Sequence, residues 1–313
     1  MTSGISEEFT RGPMPARLAV GVISAGRVGT ALGEALAQAG HVVASCTAVS
    51  DASVSRAATR LAEARILPPT DVAAVSELLI LAVPDTELPG LVRGLAACGT
   101  VRPGTIVLHT SGAHGISILA PLTEIGATPL AVHPAMTFIG TSEDTARLPS
   151  SCFGVTAADE VGYAIAQGLV LEMGAEPVRV SEEHRVLYHA ALAHGANHLV
   201  TLVADAVAGL RSALRGNELP WQEPVGDTPR GLPERVIAPL LSAALDNALR
   251  HGRGALTGPV ARDDAETVAR HLAALEKVDV ELATGYRALA RRTAQTAGAG
   301  EAMFEVLNGG QPG

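Results

Sequence analysis

The chain has 313 residues, 47% of them hydrophobic, and a formal net charge of −9 at pH 7. This length suits two domains of ordinary size, and no uninterrupted apolar run reaches the ~20 residues that span a bilayer, so we expect no membrane partner. The acidic balance also argues against nucleic acid as a partner, because phosphate backbones attract basic surfaces.

The first sixteen residues carry charges and lack an apolar core. They predict a disordered tail over 1–16 and not a signal peptide. The three cysteines, Cys46, Cys98 and Cys152, are scattered and show no metal-ligand spacing. We therefore expect reduced thiols, a cytoplasmic protein and no bound metal.

Strand-like and helix-like segments alternate from residue 17 to residue 180. The predicted strands cover 17–23, 41–47, 77–83, 105–109, 128–132, 153–156 and 177–180. The predicted helices cover 29–39, 53–64, 88–97 and 161–173. This alternation, with a continuous apolar run in strand 77–83, is typical of parallel strands buried between helices. We predict an α/β domain over 17–180, with a Rossmann-like, doubly wound parallel sheet.

After Val180 the strand pattern ends and helical segments follow. The predicted helices cover 183–214, 233–251, 265–275 and 278–297, and a polar loop with Trp221 covers 216–233. We predict an all-helical substrate and dimerisation domain over 181–307 and a tail at 308–313. Its alanine-rich helices offer more small apolar faces than one monomer covers, so we expect a homodimer.

The segment from Leu18 to Leu32 carries the most information about function. An apolar strand ends there in a small-residue turn, and a helical pattern follows. Such a turn lets backbone amides approach a pyrophosphate, and the helix directs its positive end at the same charge. The predicted dinucleotide-binding residues are Ser24, Ala25, Gly26, Arg27, Val28 and Gly29. Ser24 stands in place of the usual first glycine, and the alternative is an ordinary strand–turn–helix.

The end of the second predicted strand bears on the choice between NAD and NADP. No carboxylate falls at the strand tip, where an acidic residue would bind the ribose 2′-hydroxyl of NAD. Ser50, Ser53 and Arg56, with Arg27 from the turn, predict a small phosphate pocket and hence NADP, with NAD also possible. In the alternative interpretation the two serines cap the next helix and Arg56 is a solvated surface side chain.

Two polar groups follow predicted strands at the carboxyl edge, where sheets of this class bind ligands. Ser111 and Gly112 follow one strand, and His133 with Pro134 follows the next. The run after His133, which includes Thr137, indicates a pocket wall. The alternative is that His133 only bonds a carbonyl at the strand end.

The predicted helix from Glu183 carries a second histidine cluster. His189 and Asn197 lie on one face, and His194 and His198 lie on a neighbouring face. Histidine pairs at this spacing can bind zinc, but no third ligand is near in sequence, so we expect no metal. The alternative, favoured for His189 and His198, is packing in a helix core or a dimer seam.

A turn at Gly258 and Pro259 separates two predicted helices and precedes Arg262. This arginine is suited to bind a substrate carboxylate with two hydrogen bonds. The alternative is a helix–helix corner in which Arg262 pairs with Asp263 or Asp264. Gly112, Thr137 and Arg262 are the predicted substrate contacts.

These motifs together resemble a bacterial family of Rossmann-like oxidoreductases with a C-terminal domain of unknown function. The resemblance covers about residues 17–300 and is carried by VISAGRVGTAL (22–32), LAVPD (81–85), HTSGAHG (109–115), HPAMTF (133–138), YHAALAHGANH (188–198) and LTGPVARDD (256–264). The two-domain plan is similar to that of the 6-phosphogluconate dehydrogenase-like superfamily, which includes prephenate dehydrogenase, ketopantoate reductase and pyrroline-5-carboxylate reductase.

The resemblance implies an NAD(P)-dependent enzyme that passes hydride between a nicotinamide and a small carbonyl compound or hydroxy acid. Similarity to prephenate dehydrogenases implies that His133 is a general acid/base with a pKa near the working pH, and that Ser111 orients it or bonds the substrate. Similarity to the 6-phosphogluconate and ketopantoate enzymes assigns Asn197 as a catalytic asparagine. It also leaves Ala193 where they carry a lysine, so His194 is the expected substitute.

In similar enzymes the edge that contains Val83, Pro84 and Asp85 packs on the adenosine and the nicotinamide ribose, although Asp85 suits a helix cap equally well. Two other functions stay open. One is imine reduction of the pyrroline-5-carboxylate reductase type. The other is a nucleotide-binding regulatory protein without catalysis, which Ser24 and the missing lysine favour.

Overall fold

The structure is a computed structural model that describes residues 17–216 and 231–310. The predicted tails at 1–16 and 311–313 lie outside the described residues, as does most of the predicted loop with Trp221. The chain divides into two compact units, the first ending at His194 and the second beginning at Gly195. The predicted boundary at residue 180 stays a prediction.

An eight-stranded sheet forms the middle of the first unit, in the order β3-β2-β1-β4-β5-β6-β7-β8. Its strands are β1 (Ala19–Ile23), β2 (Val42–Cys46), β3 (Arg65–Ile66), β4 (Leu78–Leu81), β5 (Ile106–His109), β6 (Thr128–Pro134), β7 (Cys152–Ala157) and β8 (Glu176–Arg179). All pairs among β1 to β6 are parallel, as predicted. The predicted parallel arrangement is wrong at β7, which runs antiparallel to β6 while β8 runs parallel to β7.

The helices of the first unit cover both faces of this sheet. They are α1 (Arg27–Gln38), α2 (Asp51–Arg60), α3 (Pro69–Val75), α4 (Leu88–Cys98), α5 (Ala120–Thr123), α6 (Ser142–Arg147) and α7 (Glu160–Glu172), followed by α8 (Arg185–Ala213), which continues into the second unit. One apolar core packs α1, α2 and α7 on one face, and another packs α3, α4 and α5 on the opposite face. The doubly wound prediction is therefore confirmed.

The direction of β7 follows from the short connection before it. A helix between two parallel strands must carry the chain back across the sheet, but α6 has only six residues and spans about 9 Å. The chain therefore re-enters the sheet at the edge where β6 ends, with Pro134 opposite Phe153. The elements β3, α3, α5 and α6 were not predicted, because none is long enough to show a clear period.

The second unit is helical where it is described. It contains the rest of α8 and then α9 (Leu232–His251), α10 (Ala265–Glu276), α11 (Val280–Ala297) and α12 (Glu301–Leu307), the last of which was not predicted. Apolar residues of α10, α11 and α12 form its core. In the two described stretches of the chain, no helix has both the length and the apolar character needed to cross a membrane.

Candidate functional site

The turn between β1 and α1 is held against the end of β2. Thr47 accepts the amide of Ser24 at its hydroxyl and the amide of Ala25 at its carbonyl, both at 2.7 Å. Ser24 has a φ of 76°, in the left-handed region that glycine enters without steric cost. Ser24 therefore reproduces the backbone shape of the missing first glycine, at a cost of about 1 kcal/mol.

Gly29 lies where α1 packs closest to the turn before it. A methyl group on Gly29 would sit 2.2 Å from the carbonyl oxygen of Ser24. The helix begins at Arg27, two residues earlier than predicted, with Gly26 as its N-cap. The amides of residues 27–29 thus occupy the first turn, where a helix offers no internal acceptor, and they form an anion-binding helix end.

A cavity of about 670 Å³ opens beside this turn. Its walls include Ser24, Gly26, Ser50, Arg56 and Val83, so they join the predicted turn, the predicted phosphate pocket and the residues after β4. A mostly apolar lining with a few polar groups is typical of small-molecule and cofactor pockets.

The hydroxyls of Ser50 and Ser53 form hydrogen bonds within residues 49–53. The hydroxyl of Ser50, the N-cap of α2, accepts the amide of Ser53 at 3.2 Å. The hydroxyl of Ser53 accepts the amide of Val49 at 3.0 Å and donates to the carbonyl of Ser50 at 2.8 Å. The capping interpretation thus describes both serines, while Ser50 remains exposed at the rim of the cavity.

Arg27 and Arg56 approach one another at Gly140. A methyl group on Gly140 would lie 3.3 Å from Cγ of Arg27 and 3.7 Å from Nη1 of Arg56. Within residues 17–216 and 231–310, neither guanidinium forms an ion pair, and Nε of Arg56 is buried without a hydrogen-bond partner. Within the described residues, the guanidinium of Arg56 thus lines the cavity without a carboxylate partner, and the side-chain stem of Arg27 lies beside it at Gly140, which favours an anionic ligand.

The second group of site residues surrounds His133. Because β6 extends to Pro134, His133 lies within the strand and not after it, opposite Gly154 of β7. A methyl group on Gly154 would sit 2.6 Å from the hydroxyl of Tyr188, so this glycine leaves the space that Tyr188 fills. The Tyr188 hydroxyl lies 3.1 Å from Nδ1 of His133, and the two rings meet edge to face.

His189 packs against another side of His133, with ring centroids 5.7 Å apart. A methyl group on Gly112 would sit 2.5 Å from Cδ2 of His189 and 2.9 Å from Nε2 of His133. His133, Tyr188 and His189 therefore form one cluster, here called the His–Tyr cluster, against Gly112. The sequence analysis did not single out Tyr188 and favoured a packing role for His189.

The environment of His133 and Tyr188 favours the neutral form of both side chains. Burial lowers the pKa of His133 to about 4, and the positive charges of His189 and Arg185 act in the same direction. Burial also raises the pKa of the Tyr188 hydroxyl. The predicted His133 pKa near the working pH is therefore wrong, because the strand position and the packed helix leave this ring half-buried and poorly solvated.

Arg185 anchors the start of α8 beside the His–Tyr cluster and is only 1% exposed. Its Nη2 donates to the carbonyls of Ala131 at 2.7 Å and Gly154 at 3.1 Å, and its Nε donates to the hydroxyl of Thr156 at 2.8 Å. These bonds tie α8 to β6 and β7, and Tyr188 follows one helical turn later. The sequence analysis missed Arg185, whose spacing to Tyr188 and His189 was the available signal.

Ser111 is engaged in its own loop. Its hydroxyl accepts the amide of His114 at 3.1 Å, and its amide donates to Nδ1 of His109 at 3.2 Å. Nε2 of the fully buried His109 lies 2.9 Å from the carbonyl of Gly115. The hydrogen-bond partner of His133 is therefore Tyr188, whereas Ser111 shapes the loop that contains Gly112.

The residues after β4 lie near the cavity beside the β1–α1 turn and near His133. Val83 is half-buried in the cavity wall, and the exposed Pro84 accepts the amide of Glu87 at 2.9 Å through its carbonyl. Asp85 is half-buried, and its charge raises the pKa of His133 against the larger effect of burial. The N-cap of α4 is Glu87, so the capping interpretation of Asp85 is wrong.

The remaining predicted site residues are exposed on the surface. Thr137 is exposed after β6, and His194 and Asn197 are exposed on α8, the latter in the second unit. Arg262 is exposed in the turn before α10. Its two predicted partners bond elsewhere. Asp263 accepts the amide of Gly300 at 3.0 Å, and Asp264 caps α10 by accepting the amide of Thr267 at 3.0 Å.

Comparison with protein families matches both parts of the chain. A model described as a Rossmann-like domain matches residues 6–134, and a model described as a domain of unknown function (DUF2520) matches residues 151–293. Among the curated proteins, no sequence matches the chain.

Several solved structures share the fold over nearly their whole length. A protein from Bacteroides fragilis, provisionally named an NADP oxidoreductase, is 19% identical with a TM-score of 0.73, covering 89% of this chain and 98% of that one. The imine reductase of Streptomyces aurantiacus is 16% identical with a TM-score of 0.61, covering 93% and 98%. The reductive aminase of Aspergillus terreus, in complex with NADPH and ethyl-5-oxohexanoate, is 16% identical with a TM-score of 0.61, covering 94% and 99%. At these identities the likeness establishes the fold alone.

Proposed function

The chain joins a Rossmann-like domain to a DUF2520 domain, and on this premise we propose that it is an oxidoreductase that uses NADPH. The cleft beside β1 carries the proposal, since it combines the first turn of α1 with Arg56, and neither Arg56 nor the adjacent Arg27 forms an ion pair in the described part of the chain. The amides of residues 27–29 would hold the pyrophosphate, and Arg27 and Arg56 would hold the ribose 2′-phosphate. NAD is the second candidate cofactor.

NADPH should bind more tightly than NADH, and Arg56→Gln should remove most of the difference. We expect this variant to weaken NADPH binding about tenfold while NADH changes less than about twofold, since one charge-assisted hydrogen bond is lost. Fluorescence titration of each nucleotide measures both affinities. Arg65→Gln, at an exposed arginine of β3, is the matched control.

Equal or tighter binding of NADH by the unchanged protein would refute the phosphate pocket. If neither nucleotide binds below millimolar concentration, the oxidoreductase proposal fails.

We propose that the His–Tyr cluster handles the proton that accompanies hydride transfer. NADPH supplies the hydride when bound, and the heteroatom of a reduced C=O bond must then receive a proton. When Tyr188 donates to Nδ1 of His133, Nε2 carries the ring hydrogen. A neutral imidazole in this form stabilises negative charge on a substrate oxygen, as neutral histidines do in other enzymes. It can then pass on its Nε2 proton while Nδ1 takes one from Tyr188, and the tyrosinate left behind regains a proton from water before the next turnover.

The proposed substrate is a small carbonyl compound or hydroxy acid, with a C=N compound as the second candidate. The charges around His133 favour the first. Arg185 lowers the pKa of His133 by more than Asp85 raises it, so these surroundings stabilise a carboxylate or a developing oxyanion better than a protonated imine. The imine reductase and the reductive aminase among the similar structures support the second candidate.

A substrate panel distinguishes these proposals. Purified protein with NADPH is mixed with 2-oxo acids, ketones without a carboxylate, and cyclic imines, and loss of NADPH absorbance is followed. Turnover of imines alone supports C=N reduction, and turnover of oxo acids supports the carbonyl assignment. Tight NADPH binding without turnover across the panel supports the regulatory alternative.

We also propose that the protein is a homodimer formed mainly by residues 183–300. None of the twenty residues of α9 is buried, and Leu240 and Leu249 are 68% and 80% exposed. A stable interface buries about 800 Å² per partner, which such helices can supply.

Light scattering at micromolar concentration should give the mass of a dimer. The double variant Leu240→Glu, Leu249→Glu should give a monomer, because the new charges would be buried in the interface. Leu171→Glu, at an exposed leucine of α7 in the first unit, should remain a dimer. A monomeric wild-type protein would refute the proposal.

A further inference from the structure

The segment between β6 and α6 lies against the first turn of α1, and one buried carboxylate fixes its shape. Asp144 is fully buried and accepts the amides of Ile139 at 3.0 Å and Gly140 at 2.7 Å. Burial of a carboxylate is tolerated when such donors compensate it. The position of Gly140 therefore depends on Asp144.

A second set of contacts holds α6 on the helices that carry the two arginines. The carboxylate of Glu34 on α1 accepts the hydroxyl of Thr145 at 2.6 Å and Nε of Arg60 at 2.9 Å. Nη2 of Arg60 also donates to the hydroxyl of Thr145 at 2.6 Å. Arg60 lies one turn after Arg56 on α2. The contacts that position α6 thus also fix its distance from Arg56.

We propose that residues 137–141 form a third wall of the 2′-phosphate pocket, and that Asp144 is the positioning residue behind its selectivity. This inference rests on the proposed use of NADPH. A methyl group on Gly140 would fill the space between its backbone and the side chains of Arg27 and Arg56, so this segment lies directly beside both arginines. A wall at this place restricts the rotamers of the two arginines, which lowers the entropy lost when both bind one phosphate. It also excludes water from one side of the pocket and strengthens the charge interaction.

The experiment compares 2′,5′-ADP with 5′-AMP, since the two differ only in the 2′-phosphate. Asp144→Asn places an amide N–H₂ group against one of the two backbone amides and so loosens the wall. Calorimetric titration should show 2′,5′-ADP binding weakened about tenfold and 5′-AMP binding changed less than about twofold. Glu143→Gln removes the neighbouring exposed carboxylate, which pairs with Arg147 at 2.8 Å, and should change neither affinity.

Gly140→Asn tests the same wall from the other side. Asparagine tolerates the positive φ of 93° at this position better than other side chains do, and it would press on Arg27. This variant should also lower the ratio of the two affinities. Equal weakening of both ligands, or no change in either variant, would overturn the inference. Wild-type protein that binds neither ligand would instead refute the proposed function.

Discussion

Replacing His133 with asparagine is expected to lower turnover about 100-fold or more, while the affinity for NADPH stays within a few-fold. This is the range that a lost proton-transfer group costs. Asparagine retains similar size and one hydrogen bond to Tyr188, but it carries no proton that can move between Tyr188 and the substrate. The measurement is kcat with the substrate that the panel identifies, together with a nucleotide titration. Tyr188→Phe, which removes only the hydroxyl, should cause a smaller loss of about tenfold.

The pH dependence provides a second measurement on the same residue. Because burial lowers the pKa of His133 to about 4, the neutral ring persists as the pH falls below 6.5, the ordinary histidine value. The value of kcat/KM should therefore stay level between about pH 8 and pH 6, and fall only as the pH approaches 4. A break near pH 6.5 would point to an exposed histidine. An active His133→Asn variant with an unchanged profile would transfer the role to His194, the next candidate.

The turn between β1 and α1 was predictable because its signals are local. Strand, turn and helix follow one another within Leu18–Leu32, and the steric role of Gly29 belongs to that segment alone. The exception is instructive. Ser24 departs from the glycine pattern, yet the backbone keeps the left-handed conformation because Thr47 holds the amides of Ser24 and Ala25. A residue-by-residue comparison with the glycine motif therefore misses a turn whose backbone is held by hydrogen bonds to Thr47.

The His–Tyr cluster was only partly predictable because it depends on residues far apart in sequence. Tyr188 is 55 residues from His133, and the space between them exists because Gly154 on a third element lacks a side chain. No periodicity links these three positions. The reversal of β7 was equally hidden, since alternation along a strand is the same in either direction. His133 was nevertheless found, because the carboxyl edge of a sheet is a position that strand order alone predicts.

Replacing Arg185 with methionine should lower the free energy of unfolding by roughly 2 kcal/mol. The change removes the donor of three close hydrogen bonds, to the carbonyls of Ala131 and Gly154 and the hydroxyl of Thr156, and of a longer one at 3.5 Å to the carbonyl of Ser111. At about 1 kcal/mol for each close hydrogen bond the sum is roughly 3 kcal/mol. Removal of a buried charge, and the packing of the flexible methionine side chain, offset part of the loss. Urea denaturation of the two proteins measures the difference.

The matched control is Arg179→Met, at an exposed arginine whose partner is the exposed Glu160. It should unfold close to the wild type, because water already solvates both groups. If Arg185→Met proves as stable as the wild type, apolar packing compensates fully, and Arg185 is not what holds α8 on the sheet. If stability falls as expected, turnover should fall with it, because the same bonds fix Tyr188 beside His133.

Arg185→Lys then separates the effect on stability from the effect on turnover. Lysine keeps the charge but lacks the planar fork that reaches β6 and β7 together. We therefore expect Arg185→Lys to be more stable than Arg185→Met but to stay below the wild type in turnover.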